Sequence, residues 1–448
     1  MECFRGRCVN LQTAIVLWAA ILGAVLANPA AAGGFALIGQ SARSAGTGYA
    51  GASALAGGPD TVHYNPSGMA FLEGRIVSTS ADFLFPRSDY TDGGSTDALG
   101  LPRIGNDGDG AAIGVVPSSY LILPLSQDVR LGFALNAPYG QSTEYGRAFT
   151  GRYEALKSEL LVLDASVALS WKLSNNFAIG GGIDFTYADT RLTNAVDFGA
   201  VCLGIVGPDC LGLGLAPQAA DGELSLEADG FEPGFNLGVM GNFDWGRVGL
   251  SFRAPMTISL AGTADFRLPE QAEFLTSTGA FVDTTAETEL ELPATVSLGA
   301  AVNATDELTL LGQVIWTQWS VVDETVVRFT NPLQPDAVLR AEYDDSFYVA
   351  LGATYAVNDR LTLRGGVAYD QTPLNDRFRV PRLPGASTYS IALGVGYRLT
   401  DALTVDLAYQ HFFFDDATYD FSDPASGRLV GSTDNASDVV SLQLSLTF

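Results

Sequence analysis

The chain has 448 residues, 47% of them hydrophobic, and carries 24 basic against 50 acidic side chains, a net charge of −26. That balance excludes nucleic-acid binding, which needs basic patches. Only 17% of the residues are charged, where about 25% is usual for a soluble domain, and 50 are glycine.

Arg5 and Arg7 precede an apolar run from Ala14 to Ala27, and a string of small residues follows it. This is the pattern of a secretory signal over residues 1–32, cleaved near Ala32-Gly33; a membrane-anchoring helix is the alternative. No other stretch approaches the roughly 20 apolar residues of a spanning helix. A mature chain in a membrane must therefore cross it as a closed barrel.

Residues 33–74 are too rich in Gly and Ala for a good helix and too irregular for a strand. Asn65-Pro66 within them predicts a fixed turn, since Pro sets its own φ and the Asn side chain bonds to nearby backbone. His63 stands beside it and reads first as a hydrogen-bonded structural residue, second as a pH sensor or ligand contact. The segment reads as a plug folded inside a barrel, with a periplasmic tail as the alternative.

From residue 75 to 448 the dominant pattern has period 2, the mark of strands whose side chains alternate between two faces. Val440, Leu442, Leu444, Leu446 and Phe448 share one face, and Ser441, Gln443, Ser445 and Thr447 the other. The same alternation runs through Leu161 to Lys172, Leu361 to Asp370 and Tyr389 to Leu399, lengths suited to the roughly 9 to 11 residues of a tilted membrane strand. Breaks alternate between short turns, such as Asn358-Asp359 and Thr400-Asp401, and long polar loops near 87–112, 140–158, 197–222, 261–290, 323–342, 373–387 and 415–437. Six short turns and seven long loops predict an all-β, 14-stranded antiparallel transmembrane barrel with its long loops outside the cell. Trp171, Tyr187, Tyr355, Tyr369, Tyr397 and Tyr409 fall where interfacial girdles belong.

Inward positions such as Gly180, Gly394 and Gly396 are small, which predicts a lumen rather than a packed core. Cys3 and Cys8 leave with the signal. Cys202 and Cys210, in one loop of an oxidising compartment, read as a disulfide, with two free thiols as the alternative. Neither histidine, His63 or His411, lies near them, so no metal site is expected, and nothing in the sequence asks for a cofactor. No Gly-x-Ser-x-Gly elbow is present, and by parity His411 faces lipid, so an enzyme is not expected. The acidic loops, with Asp415, Asp416, Asp420 and Asp423 in one and Glu270, Glu273, Asp283, Glu287 and Glu289 in another, read as solvated surface contacting lipopolysaccharide through cations; a mouth that repels anions is the sharper alternative.

The run from Gly33 to Gly74 resembles the N-terminal hatch of the FadL-type outer-membrane transporters of long-chain fatty acids and aromatic hydrocarbons. Gly34-Phe35-Ala36-Leu37 matches the motif that begins the hatch, and Asn65-Pro66-Ser67 matches its closing Asn-Pro-Ala, with Ser in place of Ala. The stretches "NAPYGQSTEYGRAFTGRYEA", "WTQWS", "LRGGVAYDQTPLND" and "RVPRLPGASTYSIALGVGYRLTDALTVDLAYQHFF" resemble later parts of the same family. The resemblance implies a 14-stranded barrel plugged by a hatch, with Phe35, Leu37, Asn65, Pro66 and Ser67 in the gate. It implies passive transport, most simply of long-chain fatty acids; hydrocarbon uptake is the alternative, and a general porin is set aside by the plug. It also implies an inward kink in the third strand near Ala137, Pro138, Tyr139 and Gly140, through which ligand leaves sideways into the bilayer. Those residues equally suit a strand that simply ends at its loop. The final Phe448 resembles the signal presented to the barrel assembly machinery. The expected partners are hydrophobic small molecules, outer-membrane lipid and lipopolysaccharide, and the expected state is a monomer.

Overall fold

A computed structural model describes residues 34–448. The expected signal, with Cys3 and Cys8, lies outside the described residues. Two short helices, α1 (Ala42–Ala45) and α2 (Thr61–Tyr64), and a 3-10 turn at Pro66–Phe71 precede the sheet. The wall is made of β1 (Ile76–Asp92), β2 (Gly114–Pro124), β3 (Val129–Glu144), β4 (Lys157–Lys172), β5 (Phe177–Asp197), β6 (Asp221–Phe243), β7 (Gly246–Arg253), β8 (Thr295–Asn303), β9 (Leu308–Thr317), β10 (Ser346–Ala356), β11 (Leu361–Asp370), β12 (Thr388–Arg398), β13 (Leu403–Phe414) and β14 (Gly427–Thr447).

Each strand pairs antiparallel with the next, and β14 returns to β1 from Thr447↔Ile76 to Gly431↔Asp92, closing a 14-stranded barrel. Closure leaves no open edge between β14 and β1, as a membrane demands. The alternation reads directly onto the two faces. Val440, Leu442 and Leu444 point outward, while Ser441, Gln443 and Ser445 are buried inside. Turn chemistry fixes the short connections. Asn358 Oδ1 accepts from the amides of Arg360 and Leu361 at 2.9 and 3.0 Å, tightening the β10–β11 hairpin.

Several strands run farther than the alternation predicts. β1 continues to Asp92 and β14 begins at Gly427, inside the stretches expected to be loops at 87–112 and 415–437. β7 resumes past Pro255 as Met256–Arg267, and β8 is preceded by Thr284–Leu292, so much of the 261–290 loop is a hairpin. In that hairpin the period-2 pattern continues, Met256, Ile258, Leu260, Ala264 and Phe266 alternating with Thr257, Ser259, Thr263, Asp265 and Arg267, and the reading of 261–290 as a loop from its acidic residues passed over it.

Candidate functional site

The segment from Gly34 to Leu72 packs against the inner faces of strands all around the wall. Ser41 Oγ donates to Gln443 Oε1 of β14 (2.9 Å) and Ser53 Oγ to Gln313 Oε1 of β9 (2.9 Å). The wall donates back: Ser118 Oγ and Tyr120 OH of β2 to the Gln40 carbonyl (2.8 and 2.7 Å), Ser251 Oγ of β7 to the Tyr64 carbonyl (2.8 Å), and Tyr348 OH of β10 to the Gly48 carbonyl (2.8 Å). An irregular backbone inside a membrane barrel needs such partners for its own amides and carbonyls. The small inward residues, expected to leave open lumen, are instead the seats of this backbone. A Cβ on Gly394 would lie 2.7 Å from Gly46 Cα, and one on Gly180 would collide with the Ser67 amide.

Asn65, Pro66 and Ser67 form one capped turn. Asn65 Oδ1 accepts from the Ser67 amide (3.2 Å) and from Ser67 Oγ (2.5 Å), and Pro66 opens the 3-10 turn where no N–H is needed. Asn65 Nδ2 donates to the Ser53 carbonyl (2.8 Å) and to the Val239 carbonyl of β6 (3.2 Å), so the cap is also an anchor to the wall. The Ser at 67 thus supplies a hydrogen bond that Ala could not.

The first residues of the same segment meet β3. Leu37 N donates to the Pro138 carbonyl (2.8 Å) and Gly140 N to the Phe35 carbonyl (2.9 Å), around a bridge between Ala36 and Tyr139. Ala137, Pro138, Tyr139 and Gly140 therefore do not end their strand, which runs through them to Glu144. They sit at a bulge against β4, between Asn136↔Asp164 and Tyr139↔Val162. On the other side β3 pairs with β2 only as far as Leu135↔Ser119, and contact resumes at an isolated bridge, Thr143↔Ala111. The wall thus lacks a ladder beside residues 136–142, and Phe35–Leu37 occupy that inner edge. Phe35 is pinned edge-on against Trp319 (ring centroids 4.8 Å apart) and lies 5.9 Å from Tyr139.

Next to this edge lies a cavity of about 200 Å³ between the segment and the wall. Leu37, Leu84, Val116, Trp319, Phe412 and Val439 give it an apolar lining. Its polar side holds Arg253, whose Nη1 lies 2.7 Å from Asp184 Oδ2 and 3.1 Å from Asp164 Oδ2. Arg253 Nη2 reaches His63 Nδ1 at 3.3 Å, with that nitrogen as acceptor. Burial, and after it the Arg253 guanidinium, lower the His63 pKa to about 3, so the ring is neutral at ordinary pH.

Sequence reasoning missed Trp319 and this charged cluster. The available signal was charge at inward parity on membrane strands, at Asp164, Asp184 and Arg253. The remaining expected residues lie elsewhere. Cys202 and Cys210 are joined by a disulfide across α3 (Phe198–Ile205) and the turn that follows, in the loop between β5 and β6, buried against Phe198, Leu215 and Leu275. Phe448 ends the barrel, its amide donating to the Arg75 carbonyl at 2.9 Å. At the long-loop end, Arg103 grips Glu154 bidentately (2.6 and 2.7 Å) and Arg152 pairs with Asp221 (2.7 Å).

A closed barrel with an apolar outer face, an inner segment bonded around its wall and an apolar cavity defines a plugged outer-membrane transport barrel. The chain belongs to the outer membrane protein transport protein family (OMPP1/FadL/TodX), whose model matches residues 23–448. The long-chain fatty acid transport protein of Escherichia coli O6:H1 is 23% identical, with 88% of this chain and 90% of that protein covered. A crystal structure of a Pseudomonas aeruginosa FadL homologue superposes with a TM-score of 0.85 at 23% identity, over 93% of this chain and 100% of that one. The Pseudomonas putida toluene transporter TodX gives 0.71 at 19% identity, over 93% and 100%. The protein is an outer-membrane transporter of hydrophobic compounds, in a family of transporters and channels rather than enzymes.

Proposed function

We propose that this protein carries long apolar molecules passively across the outer membrane and releases them sideways through the wall beside Ala137–Gly140, with residues 33–74 as the gate. The observation that supports this reading is the missing ladder between β2 and β3, closed from inside by Phe35–Leu37 and bordered by the apolar cavity. An apolar cargo gains by passing from cavity to lipid without crossing water. Long-chain fatty acids, the class the resemblance puts first, and toluene are the cargoes named for two of the similar proteins.

Uptake of labelled oleate and labelled toluene into Gram-negative cells lacking such a transporter, with and without this chain, tests the reading and separates the two classes. Transport of neither, with the barrel present at the surface, would overturn it. The route is tested by Ala36→Cys with Tyr139→Cys. These positions form a non-hydrogen-bonded antiparallel pair, whose Cα spacing suits a disulfide. Oxidation should block uptake and reduction restore it; uptake indifferent to oxidation would sink the lateral route.

A further inference from the structure

The cavity that this reading uses has a charge balance its apolar lining conceals. Among the described residues that line it, the one permanent cation is Arg253. That guanidinium is already committed, held by Asp164 and Asp184 at 3.1 and 2.7 Å. Both carboxylates are themselves fixed: Asp164 accepts from Thr186 Oγ1 (3.1 Å), and Asp184 from Ser166 Oγ (2.6 Å) and Asn236 Nδ2 (2.7 Å). His63, on the same side, presents Nδ1 to Arg253 as an acceptor and adds no cation.

Two carboxyl groups line the cavity itself. Asp82 of β1 is 99% buried by side-chain and backbone contacts, its residual exposure being 1%, and neither of its oxygens has a hydrogen-bond partner. It stands where a side chain on Gly39 would point, with Tyr49 OH on the other flank. Asp370, at the end of β11, lines the same cavity. The lining thus carries two carboxyl groups, Asp82 and Asp370, and one guanidinium that Asp164 and Asp184 behind it already hold. A ligand carboxylate entering here finds no free cation to replace its water. At a pH that ionises Asp82 and Asp370, it also meets like charge in a medium where water does not screen it. Rejection by uncompensated charge is a strong source of specificity.

We propose that the cavity selects neutral apolar molecules against anionic ones of the same chain length, and that Asp82 and Asp370 are the residues that set this preference. The inference rests on the transport reading and narrows its cargo: a long-chain alcohol or hydrocarbon is accepted, an ionised fatty acid is not.

The test compares 1-hexadecanol with palmitate, which share a chain and differ in head group, as ligands of the purified full-length barrel in alkaline buffer, where palmitate is ionised. The wild type should bind hexadecanol about tenfold tighter, the scale of one like-charge interaction at intermediate dielectric. Asp370→Asn and Asp82→Asn should each narrow the gap, by improving palmitate binding relative to hexadecanol. Asp370 makes no contact with the gate described above, so its variant stays informative if Asp82→Asn disturbs folding. Palmitate bound as tightly as hexadecanol by the wild type, or a gap unchanged in both variants, overturns the proposal and leaves the transport reading standing. Binding of neither ligand overturns both.

Discussion

The two ends of the lumen are sealed by different chemistry. At the long-loop end the seal is ionic: Arg103 with Glu154 and Arg152 with Asp221, mostly out of water. Around the hatch it is mainly neutral, with serine and tyrosine hydroxyls and amides bonded to backbone over glycine seats. Among the described residues the ion pair between hatch and wall, Arg43 with Asp406, is 3.5 Å long, and Arg364 shares that carboxylate at 2.8 Å; Arg253 and Arg247 of the wall add charged hydrogen bonds to His63 and to the Leu55 carbonyl. A neutral hydrogen bond contributes about 1 kcal/mol net, while breaking a buried ion pair costs about 3–5 kcal/mol. The loops are therefore locked by a few strong contacts and the hatch by many weak ones. Under the proposed function, it is the second kind of seal that a bound apolar ligand would shift stepwise.

The largest effect should come from Arg103→Leu, which strands Glu154 and should cost the loop cap about 3–5 kcal/mol. Hydrogen exchange in the loops should rise sharply while the heat-modifiable migration of the barrel stays unchanged. Gly238→Val comes next, because its Cβ would collide with Asn65 Oδ1; overpacking of this kind costs about 1–3 kcal/mol. Single-channel conductance should increase as the hatch is displaced, and an unchanged trace would mean that the hatch does not seal the lumen. Asn65→Ala removes the cap and the bond to Val239 without a clash, about 1–3 kcal/mol, and should lower uptake and raise leakage less than Gly238→Val does.

Acid should loosen the docking of the hatch. The folded pKa of His63 lies below its ordinary 6.5, at about 3. Between those values the released segment binds the proton and the docked one does not. Stability of docking is then full above 6.5 and falls as the pH drops toward 3. Hatch hydrogen exchange should rise over that interval, and His63→Gln should flatten the rise. Reducing Cys202–Cys210 should matter least to either seal. The closed loop is short, and the expected loss of about 2–3 kcal/mol is confined to it. Protease sensitivity near residue 205 should rise with uptake unaltered.

The barrel was legible because bilayer and lumen impose a strict two-residue alternation, as Val440 to Thr447 shows. The strand count followed from the contrast between short turns and long loops. The protruding end of β1 was not legible, since Arg87–Asp92 carries Tyr90 as its one large apolar side chain and no apolar stripe to announce it. Asn65-Pro66 could be read as a turn, because both residue types act locally. Its attachment to Val239 could not, being a meeting of residues 174 positions apart. The same limit hid Trp319 and the Arg253 cluster: each residue was visible, but which strands face one another across a lumen is not a property of any single strand.

The backbone pairing between Phe35–Leu37 and β3 also stores a restoring force. When those residues move aside, the amides of Leu37 and Gly140 lose their acceptors in a setting with little water to replace them. Each orphaned amide costs about 1–3 kcal/mol, so the open state lasts only while cargo compensates for it. Under the proposed lateral route, a doorway built this way would work like a sprung hinge, shut without nucleotide or ion gradient because its own exposed rungs would draw it closed once the passage is empty.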